Sequence, residues 1–158
     1  MVADRVVAAL AVTLVTASFP FYIYGAWIVV DADTVSWDVL VHHLRYIAVG
    51  LALTTGPVVF WMLPRLTHRL NGVTGVHAFF GLQAYAMLTF ALTGIVRIFQ
   101  VKRRHDLYSD PDDDVALADL HENMGDWRRR LRVGVAGYVV LWLIAWVVGM
   151  SWFVLRYL

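Results

Sequence analysis

The stretch that decides the fold is Val133–Leu155, VGVAGYVVLWLIAWVVGMSWFVL, in which 23 consecutive residues carry no charge. A bilayer core about 30 Å thick is crossed by roughly 20 apolar residues in helical form. A helix is required because lipid offers no hydrogen-bond partner to an exposed peptide group. This stretch therefore predicts a membrane-spanning helix.

Three more apolar stretches precede it, at Val6–Val30, Ile47–Leu63 and Val73–Val96. The second is short, but it becomes long enough to span a bilayer if it begins at Val39. With 60% hydrophobic residues and a mean hydropathy of +0.64, the chain is too apolar for a soluble domain. We expect an all-α, integral membrane four-helix bundle that uses residues 1–158 as a single domain. The predicted helices cover about 6–30, 39–63, 73–99 and 133–156.

The long polar segment 100–132 sets the expected orientation. Within this segment, the pattern of apolar residues predicts an amphipathic helix at about 115–132. Eight Lys and Arg residues lie on the membrane side that contains this segment, and four lie on the opposite side. In membrane proteins, the cytoplasmic loops carry the excess of positive charge. We therefore expect a multi-pass protein of the cell membrane, with both termini outside and the partly helical loop 100–132 in the cytoplasm. The eight are Arg45, Lys102, Arg103, Arg104, Arg128, Arg129, Arg130 and Arg132, and the four are Arg5, Arg65, Arg69 and Arg156.

Composition excludes several classes of function. The absence of cysteine rules out disulfides, iron–sulfur clusters and thiolate chemistry. The sequence has no basic patch with interleaved aromatic residues, which is the pattern that would predict a nucleic-acid partner. We find no nucleophile beside a base, no phosphate-binding loop and no pair of intramembrane carboxylates. The chain has no hydrolytic or transferase motif, and the only enzymatic class left is redox, by electron transfer.

His77 is the first candidate for chemistry, because it lies about one turn inside the third apolar stretch. An ionisable side chain in a membrane helix is costly and indicates function by default. Gly81 and Ala84 share its helix face, which is therefore unusually small. Such a face admits either a flat macrocycle or a closely packed neighbouring helix. Imidazole is a usual axial ligand of haem iron, so His77 and Gly81 are candidates for a haem site.

His43 and His121 are the next candidates. His43 lies near the start of the second helix and shares a face with Gly50; its alternative role is a hydrogen bond at headgroup level. His121 begins the pattern His-x-x-x-Gly, which also occurs at His77–Gly81. We expect His77 and His43 as iron ligands, with His121 third.

Two families share parts of this pattern. His77-Ala-Phe-Phe-Gly81, followed by Gly94, resembles the His-x-x-x-Gly…Gly helices of the ascorbate-reducible transmembrane cytochrome b family. His121 with Trp127–Leu131, leading into Gly137–Val140, resembles the last helix of small membrane proteins linked to cytochrome oxidase maturation.

These resemblances cover about half of the chain, from Val73 to Leu155. They imply b-type haem held between helices, without a soluble catalytic domain. The ligands implied are His77 and His121, and also His43.

Helix geometry limits how these histidines combine. At 1.5 Å per residue, His43 and His77 should differ in depth by roughly 20 Å, so they cannot share one iron. His105 is nearer in depth to His43, and His68 to His77. His121 should lie roughly 18 Å beyond the apolar core if its helix is straight. A haem with one histidine ligand, or a fold-back of 115–132, satisfies these constraints.

Two functions are therefore expected. The first is a b-type haem-binding electron-transfer protein or haem-oxidase accessory, which contacts the lipid bilayer and a larger respiratory membrane complex. The alternative is a cofactor-free structural or assembly subunit of a larger membrane complex, whose histidines have no chemical role.

Overall fold

The structure, a computed structural model, describes residues 2–32, 35–66, 72–109 and 120–158. Helices account for most of these residues, and no strand occurs among them. The order is α1 (Val2–Val30), α2 (Trp37–Pro57), a π-helical segment (Val58–Met62), α3 (Leu63–Leu66), α4 (Gly72–Arg104) and α5 (Met124–Tyr157). The predicted all-α fold is confirmed.

Among the described residues, four helical segments are long and apolar enough to cross a membrane, as predicted. They are Ala3–Val30, Trp37–Arg65, Gly72–Arg104 and Met124–Tyr157. In each, only 17% of the most apolar window is buried within the structure. Large apolar side chains such as Phe60 and Leu155 are 84% and 88% exposed, which suits contact with lipid rather than water. The chain is a multi-pass membrane protein.

The helix boundaries differ from prediction around the long polar segment. Helix α4 ends at Arg104 rather than near 99, and α5 begins at Met124 rather than at 133. Residues 124–132 of the predicted amphipathic helix are therefore the first turns of α5, whereas 115–119 lie outside the described residues. An apolar stretch measures the hydrocarbon thickness, but a helix continues beyond it because Arg and Lys are good helix formers.

The end of α4 is set by a backbone cap that the sequence analysis did not predict. Asp106 adopts a positive φ of 55°, and Leu107 N–H donates to the carbonyl of Lys102 at 3.1 Å. This is the Schellman arrangement, which satisfies carbonyls left open at a helix end. The following Tyr108 packs on Phe99 with ring centroids 5.5 Å apart, and burial raises the pKa of its phenol.

The chain divides into two compact units, and the first contains residues 1–75 and 149–158. In this unit α1 and α2 pack along a seam of mostly small residues spaced at three, four or seven positions. Such spacing gives coiled-coil-like packing, and small residues let the helix backbones approach closely. The buried seam residues are Ala8, Ala11, Ser18 and Gly25 of α1 and Gly50, Thr54 and Pro57 of α2.

A buried pair of hydroxyl groups joins these two helices. Thr54 Oγ1 donates to the carbonyl of Gly50 at 2.5 Å and lies 2.7 Å from the hydroxyl of Tyr22. Since threonine has one hydroxyl proton, Tyr22 is the donor to Thr54. The Tyr22 ring lies against Gly50, where an added Cβ would be only 2.9 Å from it.

The second unit contains residues 76–148, where α4 and α5 run antiparallel. Gly94 lies against Trp127 and Leu131, and Gly134 lies against Ala91. A Cβ added at Gly134 would be 2.7 Å from the Ala91 nitrogen, so the two backbones are in contact. The buried residues of this seam are Ala84, Ala91, Gly94 and Val101 of α4 and Met124, Gly134, Tyr138 and Ala145 of α5.

Candidate functional site

His77 lies on the seam between α4 and α5, where it bonds to the opposite backbone. Its Nδ1 is 2.8 Å from the carbonyl oxygen of Ala145. A carbonyl oxygen only accepts hydrogen bonds, so Nδ1 carries the proton and donates. In a neutral imidazole, the lone pair then lies on Nε2.

His43 makes the same bond in the first unit. Its Nδ1 is 2.7 Å from the carbonyl oxygen of Gly25, so α2 donates to α1. This ring also presents Nε2 as its lone-pair nitrogen when neutral. Both histidines are half-buried, and each faces a glycine or an alanine whose small size brings the carbonyl within reach.

This arrangement is common among metal-ligating histidines. Such a histidine donates its second N–H to a carbonyl or carboxylate, which fixes the ring orientation and raises the basicity of the ligating nitrogen. The same bond also ties two membrane helices together without any ligand. The geometry of His43 and His77 therefore suits both an iron ligand and a helix–helix tie.

The two small residues on the helix face of His77, Gly81 and Ala84, have different surroundings. Ala84 is fully buried and packs in the seam. Gly81 is different, because a Cβ added there would meet no atom within 4 Å. Of the two predicted small residues, Gly81 leaves free space near His77 and Ala84 is part of the helix packing.

His121 has the opposite hydrogen-bonding role. Its Nδ1 accepts from the backbone N–H of Asn123 at 3.1 Å, and its carbonyl accepts from Met124 at 3.0 Å. The ring stacks on Trp127 with centroids 4.5 Å apart. Because Nδ1 is an acceptor, the neutral ring carries its proton on Nε2. The arrangement is that of a helix cap just before α5, and α5 continues to Tyr157 as one helix.

The described residues include two further histidines, His42 and His105. His42 is exposed and packs edge-on against Tyr46, with ring centroids 5.3 Å apart. His105 is exposed next to the end of α4. His68 lies outside the described residues.

A metal site built from protein side chains alone is not found in the described part of the chain. Among those residues, no three or more His, Cys, Asp or Glu side chains converge to hold a metal ion. Haem differs in its requirement, because the porphyrin supplies the equatorial ligands and the protein provides only axial ones. A single histidine with a free Nε2 is chemically sufficient for that role.

The partners of these histidines could not be predicted from the sequence. The carbonyls of Gly25 and Ala145 carry no sequence signal of their own. The available signal was the spacing of small residues at three and seven positions, which places Gly25 on the seam of α1 with Ala8, Ala11 and Ser18.

The chain matches a known protein family. Residues 4–158 match the family described as "Domain of unknown function (DUF7321)". No curated protein and no solved structure matches the chain.

Proposed function

The chain belongs to the DUF7321 family, and we propose that it binds b-type haem and acts in electron transfer or haem-oxidase assembly. One observation carries this proposal. Both histidines in the helix seams donate Nδ1 to a backbone carbonyl, at 2.7 Å for His43 and 2.8 Å for His77. Each neutral ring then has Nε2 as its lone-pair nitrogen, and this nitrogen would be the one to bind iron.

Under this proposal, His77 and His43 would each hold a haem group at a separate site. The carbonyls of Ala145 and Gly25 hold the rings in orientation. Gly81 provides space beside His77 for a flat group. Bound haem would supply one-electron chemistry, while the protein residues orient it and tune its potential.

His121 contributes least to such a site. Its Nδ1 already accepts the Asn123 N–H, so Nε2 must lose its proton before it can bind a metal. We therefore assign His121 to capping α5 and keep His77 and His43 as the ligands.

The decisive variants are His77→Asn and His43→Asn. An asparagine amide nitrogen occupies the same bonded position as Nδ1, so it can keep the donor to the carbonyl, whereas Nε2 and the rest of the ring are lost. We expect each variant to lose haem from its own site, measured as haem per protein from a pyridine extract. The control His121→Asn should keep the wild-type haem content. If both His77→Asn and His43→Asn retain the wild-type spectrum, the ligand assignment is wrong.

For orientation, we propose both termini outside and the polar segment 100–132 in the cytoplasm, from the eight-to-four distribution of basic residues. The chain has no cysteine, so single introduced cysteines can be labelled cleanly. A membrane-impermeant maleimide should label Leu158→Cys in intact cells. It should label Ser109→Cys only after the membrane is opened. The reverse pattern would invert the topology.

The alternative function is a cofactor-free structural or assembly subunit. It is favoured by the same two bonds when they are regarded as helix ties, together with the close backbone packing at Gly134. A larger respiratory membrane complex is the proposed partner in both cases. The absorption spectrum of the purified protein distinguishes the two functions, since only the first predicts a haem spectrum.

A further inference from the structure

Basic side chains are concentrated at one end of the second unit. Of the 13 Lys and Arg residues in the chain, eight lie in the last turns of α4 and the first turns of α5. They are Arg97, Lys102, Arg103, Arg104, Arg128, Arg129, Arg130 and Arg132.

The packing of α4 on α5 aligns five of them at one depth. Gly94 lies beside Leu131, and Gly134 lies beside Ala91. Since the helices are antiparallel, this register places Arg97 level with about Arg128. The interval from Arg128 to Arg132 covers roughly 6 Å of helix. Together, Arg97, Arg128, Arg129, Arg130 and Arg132 form what we call the arginine layer.

The arginine layer lies directly beyond the apolar parts of both helices. Arg97 follows the stretch that ends at Val96, and Arg132 precedes the stretch that begins at Val133. The boundary of an apolar span coincides with the boundary between hydrocarbon and headgroups. The layer is therefore at the depth where lipid phosphates lie.

These arginines are free to meet a ligand from outside. All five are exposed. Within the described residues, the one ion pair in the layer is Arg129 with Asp126, at 3.9 Å with side chains 80% and 63% exposed. Such an exposed pair neutralises little charge, so the layer keeps a strong positive field.

We propose that the arginine layer binds the phosphate groups of anionic lipids in the adjacent leaflet. A guanidinium group binds phosphate through two parallel N–H donors, which makes arginine better suited than lysine to this role. Because the layer includes residues of both helices, a bound headgroup would connect α4 to α5. This inference is independent of haem.

The test is a lipid titration of the purified protein in neutral detergent, with thermal unfolding as the readout. Phosphatidylglycerol should raise the unfolding midpoint more than phosphatidylcholine does. The variant R128Q/R129Q/R130Q should bind phosphatidylglycerol at least about tenfold more weakly. The charge-conserving R128K/R129K/R130K should keep a preference for phosphatidylglycerol. The control R5Q/R69Q/R156Q removes the same charge from elsewhere and should behave as wild type.

Three results would overturn the proposal. Equal responses to phosphatidylglycerol and phosphatidylcholine would show that lipid charge is not recognised. An equal rise with inorganic phosphate alone would make this a free-phosphate site. The third result is that the wild-type protein shows no lipid preference, whereas the variant D110N/D112N/D113N/D114N does. This result would show that the chain's own aspartates occupy the layer.

Discussion

Replacing Gly134 by alanine should lower the free energy of unfolding by about 1–3 kcal/mol. The added Cβ would lie 2.7 Å from the nitrogen and Cβ of Ala91 and 2.8 Å from its Cα. Two of these atoms are backbone, so the contact is relieved only if α4 and α5 move apart. That movement would weaken the close packing on which helix association in a membrane depends.

The measurement is thermal unfolding of the purified protein in detergent, with Gly81→Ala as the matched control. Gly81 is also in a helix of this pair, but a Cβ there meets nothing within 4 Å. Measured on both proteins without haem, this control should be neutral or slightly stabilising, because glycine in a helix interior costs roughly 0.5–1 kcal/mol relative to alanine. Equal destabilisation by both substitutions would contradict the seam between α4 and α5.

Replacing Gly50 by alanine should destabilise the α1–α2 pair by about 1–2 kcal/mol. Three ring atoms of Tyr22 lie 2.9–3.1 Å from the position of the new Cβ. The ring cannot move aside freely, because its hydroxyl is held 2.7 Å from Thr54 Oγ1. The substitution therefore either strains the ring or breaks that hydrogen bond.

A double-mutant cycle separates this contact from a general effect of alanine. In a Tyr22→Val background, the cost of Gly50→Ala should fall, because the colliding ring is gone. Gly56→Ala is the control on the same helix, since a Cβ there meets nothing within 4 Å. An equal cost of Gly50→Ala in both backgrounds would contradict the contact between Tyr22 and Gly50.

The membrane spans could be predicted from sequence because apolar length alone specifies them. The helix ends could not, as α5 shows. Val133 begins the apolar stretch, but the helix starts at Met124. Hydropathy marks where hydrocarbon begins, whereas helix ends depend on caps such as the one at Asp106.

The histidines show a similar limit to what the sequence predicts about the candidate site. His77 and His121 share the pattern His-x-x-x-Gly, yet Nδ1 donates in the first and accepts in the second. The pattern records spacing along one helix. The bond from His77 to Ala145 depends on how two helices are rotated about each other, which spacing alone does not give.

The most direct test of the haem proposal is an absorption spectrum of the protein, purified in detergent from cells supplied with haem. The spectrum should be recorded first on the oxidised protein and then after the protein is reduced with dithionite. We expect a Soret band that shifts on reduction, with sharp visible bands and b-type haem in a pyridine extract. A colourless protein would contradict it and would favour a structural subunit whose His43 and His77 only tie helices together.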